Sequence, residues 1–241
     1  MPHLNVLDLL IVAWFALVMP VQAWRAGRRL AKTPRSAIDM TARYRVIIIR
    51  NIVLSVLILC DWRWAARPWS ALGFDIPIGL AGRIGFGLDS LLLAVFVWSL
   101  TRTLSADARA KVNARFETYR IVPQSRAGFR LFPVVGAIGG AFEELMCRGF
   151  LIWFFAPFVG LWGAIILSSA LFGLIHVYQG WFGVLRAGAV GLAFAIAYVF
   201  THSLWWLMLD RAVFNVHGSL LARKLWRESC VGSVGTAPPS P

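Results

Sequence analysis

Seven apolar runs of roughly twenty residues dominate this chain, and each is the length a helix needs to cross about 30 Å of hydrocarbon. They fall at about 4–24, 46–64, 84–104, 131–156, 159–178, 184–201 and 203–222. Inside a bilayer only helices and closed barrels satisfy every backbone polar group, so runs of this length predict an all-α bundle. The expected fold class is a polytopic membrane helix bundle of about seven (six to eight) transmembrane helices. The second run is interrupted by Arg50 and Asn51 in "VIIIRNIVLSVLILCDW", and the last two are separated only by a short polar break and also read as one bent element.

Of 241 residues, 59% are hydrophobic and 15% charged, against roughly 25% charged in soluble domains. The net charge of +13 is not a nucleic-acid signature, because the basic residues sit in blocks between apolar runs. One block follows the first run (Arg25, Arg28, Arg29, Lys32, Arg35), a second follows the third (Arg102, Arg109, Lys111, Arg115, Arg120), and Arg223, Lys224 and Arg227 close the series. Seven crossings with the N-terminus outside put every block on the cytoplasmic side, as the positive-inside rule requires. The expected location is the bacterial inner (plasma) membrane, with the lipid bilayer as partner and no nucleic acid. Tryptophans gather near the run ends, as at an interfacial belt. Three cysteines (Cys60, Cys147, Cys230) are too few and too apolar in context for a disulfide framework. The first run is too long for a cleaved signal and lacks a basic leader. The chain divides into N-terminal helices and basic loops (1–130), a core (131–222) and a tail that is basic and then disordered (223–241).

The informative residues are those that violate the membrane rule. A charge at mid-bilayer costs about 2.5–3.5 kcal/mol even on insertion scales, so such residues face the protein interior and carry function. The fourth run holds Glu143, Glu144 and Arg148 in "GGAFEELMCRGFL", the fifth ends at His176, and the last holds Asp210, Arg211, Asn215 and His217. Glu144 and Arg148 are four residues apart and stack on one helix face as an ion pair. Glu143 points about 100° away, toward a different neighbour. One acid therefore reads as a clamp and the other as a chemical group, a general base for water. Gly139, Gly140 and Gly149 flank them and admit close helix approach. His217 lies seven residues after Asp210, which predicts a contact between those two. Arg50 is expected to snorkel toward the cytoplasmic face. No HExxH, paired-cysteine or GxSxG motif is present. A divalent metal on Glu143, Glu144 and His176 is the weaker alternative; no cofactor is expected.

The spacing Glu143-Glu144-Leu-Met-Cys-Arg148, followed by Gly149, is an EExxxR motif, and Phe172-Gly-Leu-Ile-His176 is an FxxxH motif. Over roughly residues 131–220 the chain resembles the CAAX protease and bacteriocin-processing (Abi) family of intramembrane proteases. The "RPWSALGF" segment, Arg67 to Phe74, is similar to the loop that precedes that family's core. The resemblance implies a glutamate-type endopeptidase acting on a membrane-associated protein or peptide. In it, Glu143 and His176 would activate water, and Glu144 and Arg148 would hold the site. The family's third motif, HxxxN, is matched at Asn215, but Arg211 stands where the histidine would be. Arg211 either donates to the oxyanion in the histidine's place or pairs with Glu143. The second outcome favours a non-catalytic membrane partner, such as an immunity or secretion factor. A transporter fits less well, since the halves show no internal repeat.

Overall fold

A computed structural model describes residues 4–76, 79–102 and 105–234. Among these the chain is helical, and its extended pairing is limited to one isolated antiparallel bridge between Phe74 and Ser203. The helices are α1 (Val6–Lys32, with a π turn at Trp14–Val18), α2 (Met40–Trp64), α3 (Leu80–Thr101), α4 (Ala106–Tyr119), α5 (Arg126–Glu144), α6 (Ile152–Leu174), α7 (Trp181–Thr201) and α8 (Leu204–Val234). A second π turn, Leu145–Leu151, joins α5 to α6.

The protein is an all-α membrane helix bundle. Val6–Lys32, Gly82–Ser99, Arg126–Leu174 and Trp181–Thr201 are long and apolar enough to cross a bilayer. The third of these is 49 residues long and breaks at Gly160, whose φ of 71° and ψ of 170° end one pass and begin the next. Glycine alone adopts that backbone without strain. The expected second and seventh spans are also single helices, α2 and α8, but their charged residues keep them out of the purely apolar set. Large side chains such as Leu17, Val46, Ile49, Leu91, Phe182 and Phe200 are exposed on the outer faces, the reverse of a soluble protein. α7 and α8 are separate helices: His202 takes a left-handed conformation (φ 48°) and caps α7. The expected disordered tail falls mostly at 235–241, outside the described residues.

The basic stretch after α3 contains a helix that the loop reading passes over. Ser105 caps α4 by accepting from Ala108 N, and Arg120 ends it in a left-handed turn. The Arg120 guanidinium then donates to Leu30 O and, at 3.0 Å, to Thr33 O, which ties α4 to the end of α1. Such capping by side chain and backbone is a local signal of modest strength, easily read as loop in a charge-rich stretch.

Two devices fix the helices around the core. At the N-terminal end of α1, Arg67 forks onto Asp8 (2.8 and 2.6 Å) and reaches Asp61 (3.0 Å), while Asn5 donates to Asp61 (2.7 Å). The same guanidinium lies over Trp153, 4.6 Å from its ring centroid. Arg67 thereby roots the 67–74 segment, which crosses the bundle and meets the start of α8. There Leu204 N donates to Gly73 O (2.7 Å) and the Trp205 indole to Phe74 O (3.0 Å).

The second device is close glycine packing. A Cβ at Gly173 would sit 2.7 Å from Val184 O, a backbone atom that cannot swing aside. Gly173→Ala is therefore expected to push α6 from α7 and cost about 1–3 kcal/mol. The measurement is the thermal midpoint of detergent-purified protein; an unchanged midpoint would show that the helices are not held this close.

Candidate active site

The π turn determines where the acid pair stands. Glu143 and Glu144 occupy the last turn of α5, and the next seven residues widen into the π turn, all of them buried. Single π turns inside α-helices recur at functional sites because they re-aim side chains at the expense of regular backbone bonding. Here Ser168 of α6 donates to Cys147 O (2.6 Å), giving a carbonyl in the irregular turn a partner. Gly149 brings the turn against Leu72 and Leu204: a Cβ there would lie 2.9 Å from Leu204 Cδ1.

The clamp forms as the helical spacing predicts. Arg148 Nη1 meets Glu144 Oε1 at 3.1 Å, with both side chains almost fully buried, and Arg148 Nη2 donates to Gly191 O of α7 (3.0 Å). The second guanidinium comes from α8. Arg211 donates from Nη2 (3.0 Å) and Nε (3.3 Å) to Glu143 Oε2, and its Nε stands 3.6 Å from Glu144 Oε1. Glu143, which helical spacing turns away from Arg148, is thus paired across the bundle with Arg211. Glu144 Oε2 is buried with no hydrogen-bond partner among the described residues.

Both arginines lie against Phe172. The Arg148 and Arg211 guanidinium carbons lie 4.9 and 4.7 Å from its ring centroid, and both also approach Phe194, at 5.6 and 5.3 Å. Aromatic faces stabilise desolvated cations, so the phenylalanine of the FxxxH motif serves as a shared platform for like charges. The same residue's carbonyl bonds His176 Nδ1 at 2.8 Å. A carbonyl accepts only from N–H, which places the proton on Nδ1 and leaves the Nε2 lone pair available. His176 is within Coulombic reach of Glu143 and Arg211.

Asn215 lies one turn beyond Arg211 and donates from Nδ2 to Gly136 O (3.0 Å). Its helix can lie this close because α5 presents glycines to it. A Cβ at Gly136 would be 3.1 Å from Asn215 Cβ, and one at Gly140 2.9 Å from Arg211 Cγ. Of the three glycines singled out in the sequence, Gly140 and Gly149 mediate tight approaches. A Cβ at Gly139 would be in ordinary contact, 3.6 Å from Asn51 Nδ2.

The structure therefore gathers Glu143, Glu144, Arg148 and Arg211 into one ion-paired cluster, sets His176 beside it and places Asn215 a turn away. Two residues of the site wall escape sequence reasoning. Arg50 does not reach for the interface: its Nε (3.2 Å) and Nη2 (3.1 Å) turn back onto Asn51 Oδ1, and Asn51 is buried. Their interruption of an apolar run was the available signal. His217 bonds Ser99 Oγ (2.7 Å) and stacks on Phe96 of α3, away from the acid pair. Among the described residues no three His, Cys, Asp or Glu side chains gather as a metal site needs. Glu143 is turned to Arg211, Glu144 to Arg148 and His176 Nδ1 to Phe172 O.

These side chains lie within a stretch that matches a known family. Residues 126–217 fit the family model described as Type II CAAX prenyl endopeptidase Rce1-like. That stretch resembles an Rce1-like domain. The match covers a little over a third of the chain, takes in both motifs and Asn215, and identifies a membrane-protease family. No curated protein and no solved structure matches the chain. The Rce1-like domain begins at α5 and ends within α8, so α1–α4 and the 67–74 segment lie outside it while still touching its core.

Proposed function

We propose that the Rce1-like domain is an intramembrane endopeptidase in which Glu143 and His176 activate water for attack on a peptide carbonyl. The supporting observation is the assembly around Phe172: a carboxylate, an imidazole with its Nε2 lone pair available, and a guanidinium from α8 lie together within spanning helices. Water bound between Glu143 and His176 loses a proton to one of them as its oxygen bonds the carbonyl carbon. The oxyanion that forms takes hydrogen bonds from Arg211, which leaves Glu143 for the new negative charge, and from Asn215. The proton then passes to the departing amine as the C–N bond breaks. Glu144 and Arg148 do no chemistry; they hold the π turn. On this reading Arg211 replaces the family histidine as a donor, and the chain lies with its N-terminus outside and its C-terminus in the cytoplasm.

The competing reading is a non-catalytic membrane partner, favoured by the same Arg211–Glu143 pair if it never opens. Detergent-purified protein incubated with tagged single-span peptides, read by mass spectrometry of released fragments, separates the two. Wild type is expected to release a fragment, and His176→Ala to release it about 10²-fold more slowly. Arg211→His is expected to reduce release as well, since the remaining histidine faces a site built for a guanidinium. Faster release by Arg211→His would mean that the natural pair silences the base, and absence of any fragment from wild type would sink the peptidase.

A further inference from the structure

The three guanidinium groups around the acid pair differ in their partners. Glu143 is paired with Arg211 and Glu144 with Arg148, while the Arg50 guanidinium, in Coulombic reach of Glu143, bonds only the neutral Asn51 amide among the described residues. Arg50 lies ten residues beyond Met40, the start of α2, or about 15 Å along the helix. A guanidinium at that depth, facing protein, normally has a carboxylate. Its Nε and Nη2 form the edge that grips carboxylates in bidentate fashion, yet here both converge on the single oxygen of Asn51. Asn51 is packed against Gly139, one turn before Glu143, so the fork stands in the wall of the site. Arg50 is itself only half-buried.

We propose that Arg50 receives a carboxylate of the substrate, so that this site selects peptides bearing an anionic group near the scissile bond. The proposal rests on the endopeptidase reading for the word substrate, but the binding it describes does not require turnover. A carboxylate brings a full negative charge and two oxygens to match the fork, where Asn51 offers one neutral oxygen, so a carboxylate displaces Asn51 Oδ1. Asn51 then acts as a placeholder that keeps the guanidinium aimed while the site is empty. A C-terminal carboxylate and an Asp or Glu side chain offer the same chemistry.

Three fluorescein-labelled single-span peptides in zwitterionic nanodiscs test this: one with a free C-terminal carboxylate, one amidated, and one amidated with a Glu near its end. Binding is read by anisotropy on His176→Ala protein, alone and combined with Arg50→Gln or Arg50→Lys. A carboxylate-bearing peptide is expected to bind about tenfold tighter than the amidated one. Arg50→Gln should abolish the preference and Arg50→Lys keep part of it. Preference for the free terminus alone assigns the group to the C-terminus, and preference for the Glu peptide assigns it to a side chain. Equal binding of all three by protein with Arg50 intact overturns the proposal even if Arg50→Gln does not fold. So does binding of none, or a preference that survives Arg50→Gln. A protein that shows the preference but never releases a fragment refutes the peptidase and leaves the carboxylate site standing.

Discussion

Glu143→Gln is expected to slow fragment release by about 10³–10⁴-fold while leaving the protein folded. Glutamine keeps the shape of the side chain and an oxygen for the Arg211 bonds now made to Glu143 Oε2 at 3.0 and 3.3 Å. What it lacks is basicity. Arg211 also retains Glu144 Oε1 at 3.6 Å, so its charge stays compensated and the thermal midpoint should move little. Release assays and melting curves on the same preparation check both halves. A variant that cuts at the wild-type rate would remove Glu143 from the mechanism.

The opposite split is expected for Arg148→Met. Arg148 is 1% exposed and bonds Glu144 and Gly191 O, so its loss leaves a buried carboxylate with only Arg211 Nε at 3.6 Å, a cation already engaged by Glu143. Removing one partner of a buried pair destabilises by about 3–5 kcal/mol, because the other charge stays behind uncompensated. The midpoint in detergent should drop sharply, with activity lost through unfolding. Arg148→Lys should recover only part of the loss, since an ammonium lacks the planar fork that spans from α5 to α7. A shift smaller than that of a surface substitution would show that Glu144 finds another partner.

Much of this was legible in the sequence because membrane solvation makes charged residues conspicuous. Run length gave the helices, and the Glu144–Arg148 pair followed from four-residue spacing, as the 3.1 Å contact bears out. The fourth run ends near 156 and the fifth begins near 159, within a few residues of the break at Gly160. Pairings between distant helices were harder. Whether Arg211 would face Glu143 depends on the rotation of α8 against α5, which is set by Gly136 and Gly140 and by the bond from Asn215 to Gly136 O. Run length carries no such information, so the sequence left both outcomes for Arg211 open. The π turn was hidden for a related reason: it needs Ser168 on the next helix to satisfy Cys147 O. Arg50 and Asn51 were visible as an interruption, but their direction depended on α2 lying beside Gly139.

The 67–74 segment bears on how separable the matched domain is from the rest of the chain. Residues 126–217 contain every motif, yet Leu204 N and the Trp205 indole are bonded to Gly73 O and Phe74 O, and Leu72 lies against Gly149 in the π turn. Expressed by itself, that stretch would begin α8 with two unanswered donors and a hole beside its acid pair. The N-terminal half therefore supplies acceptors that the start of α8 needs, on carbonyls some 130 residues earlier in the chain. Grafting the motif-bearing helices onto another membrane protein would have to bring this crossing segment with them.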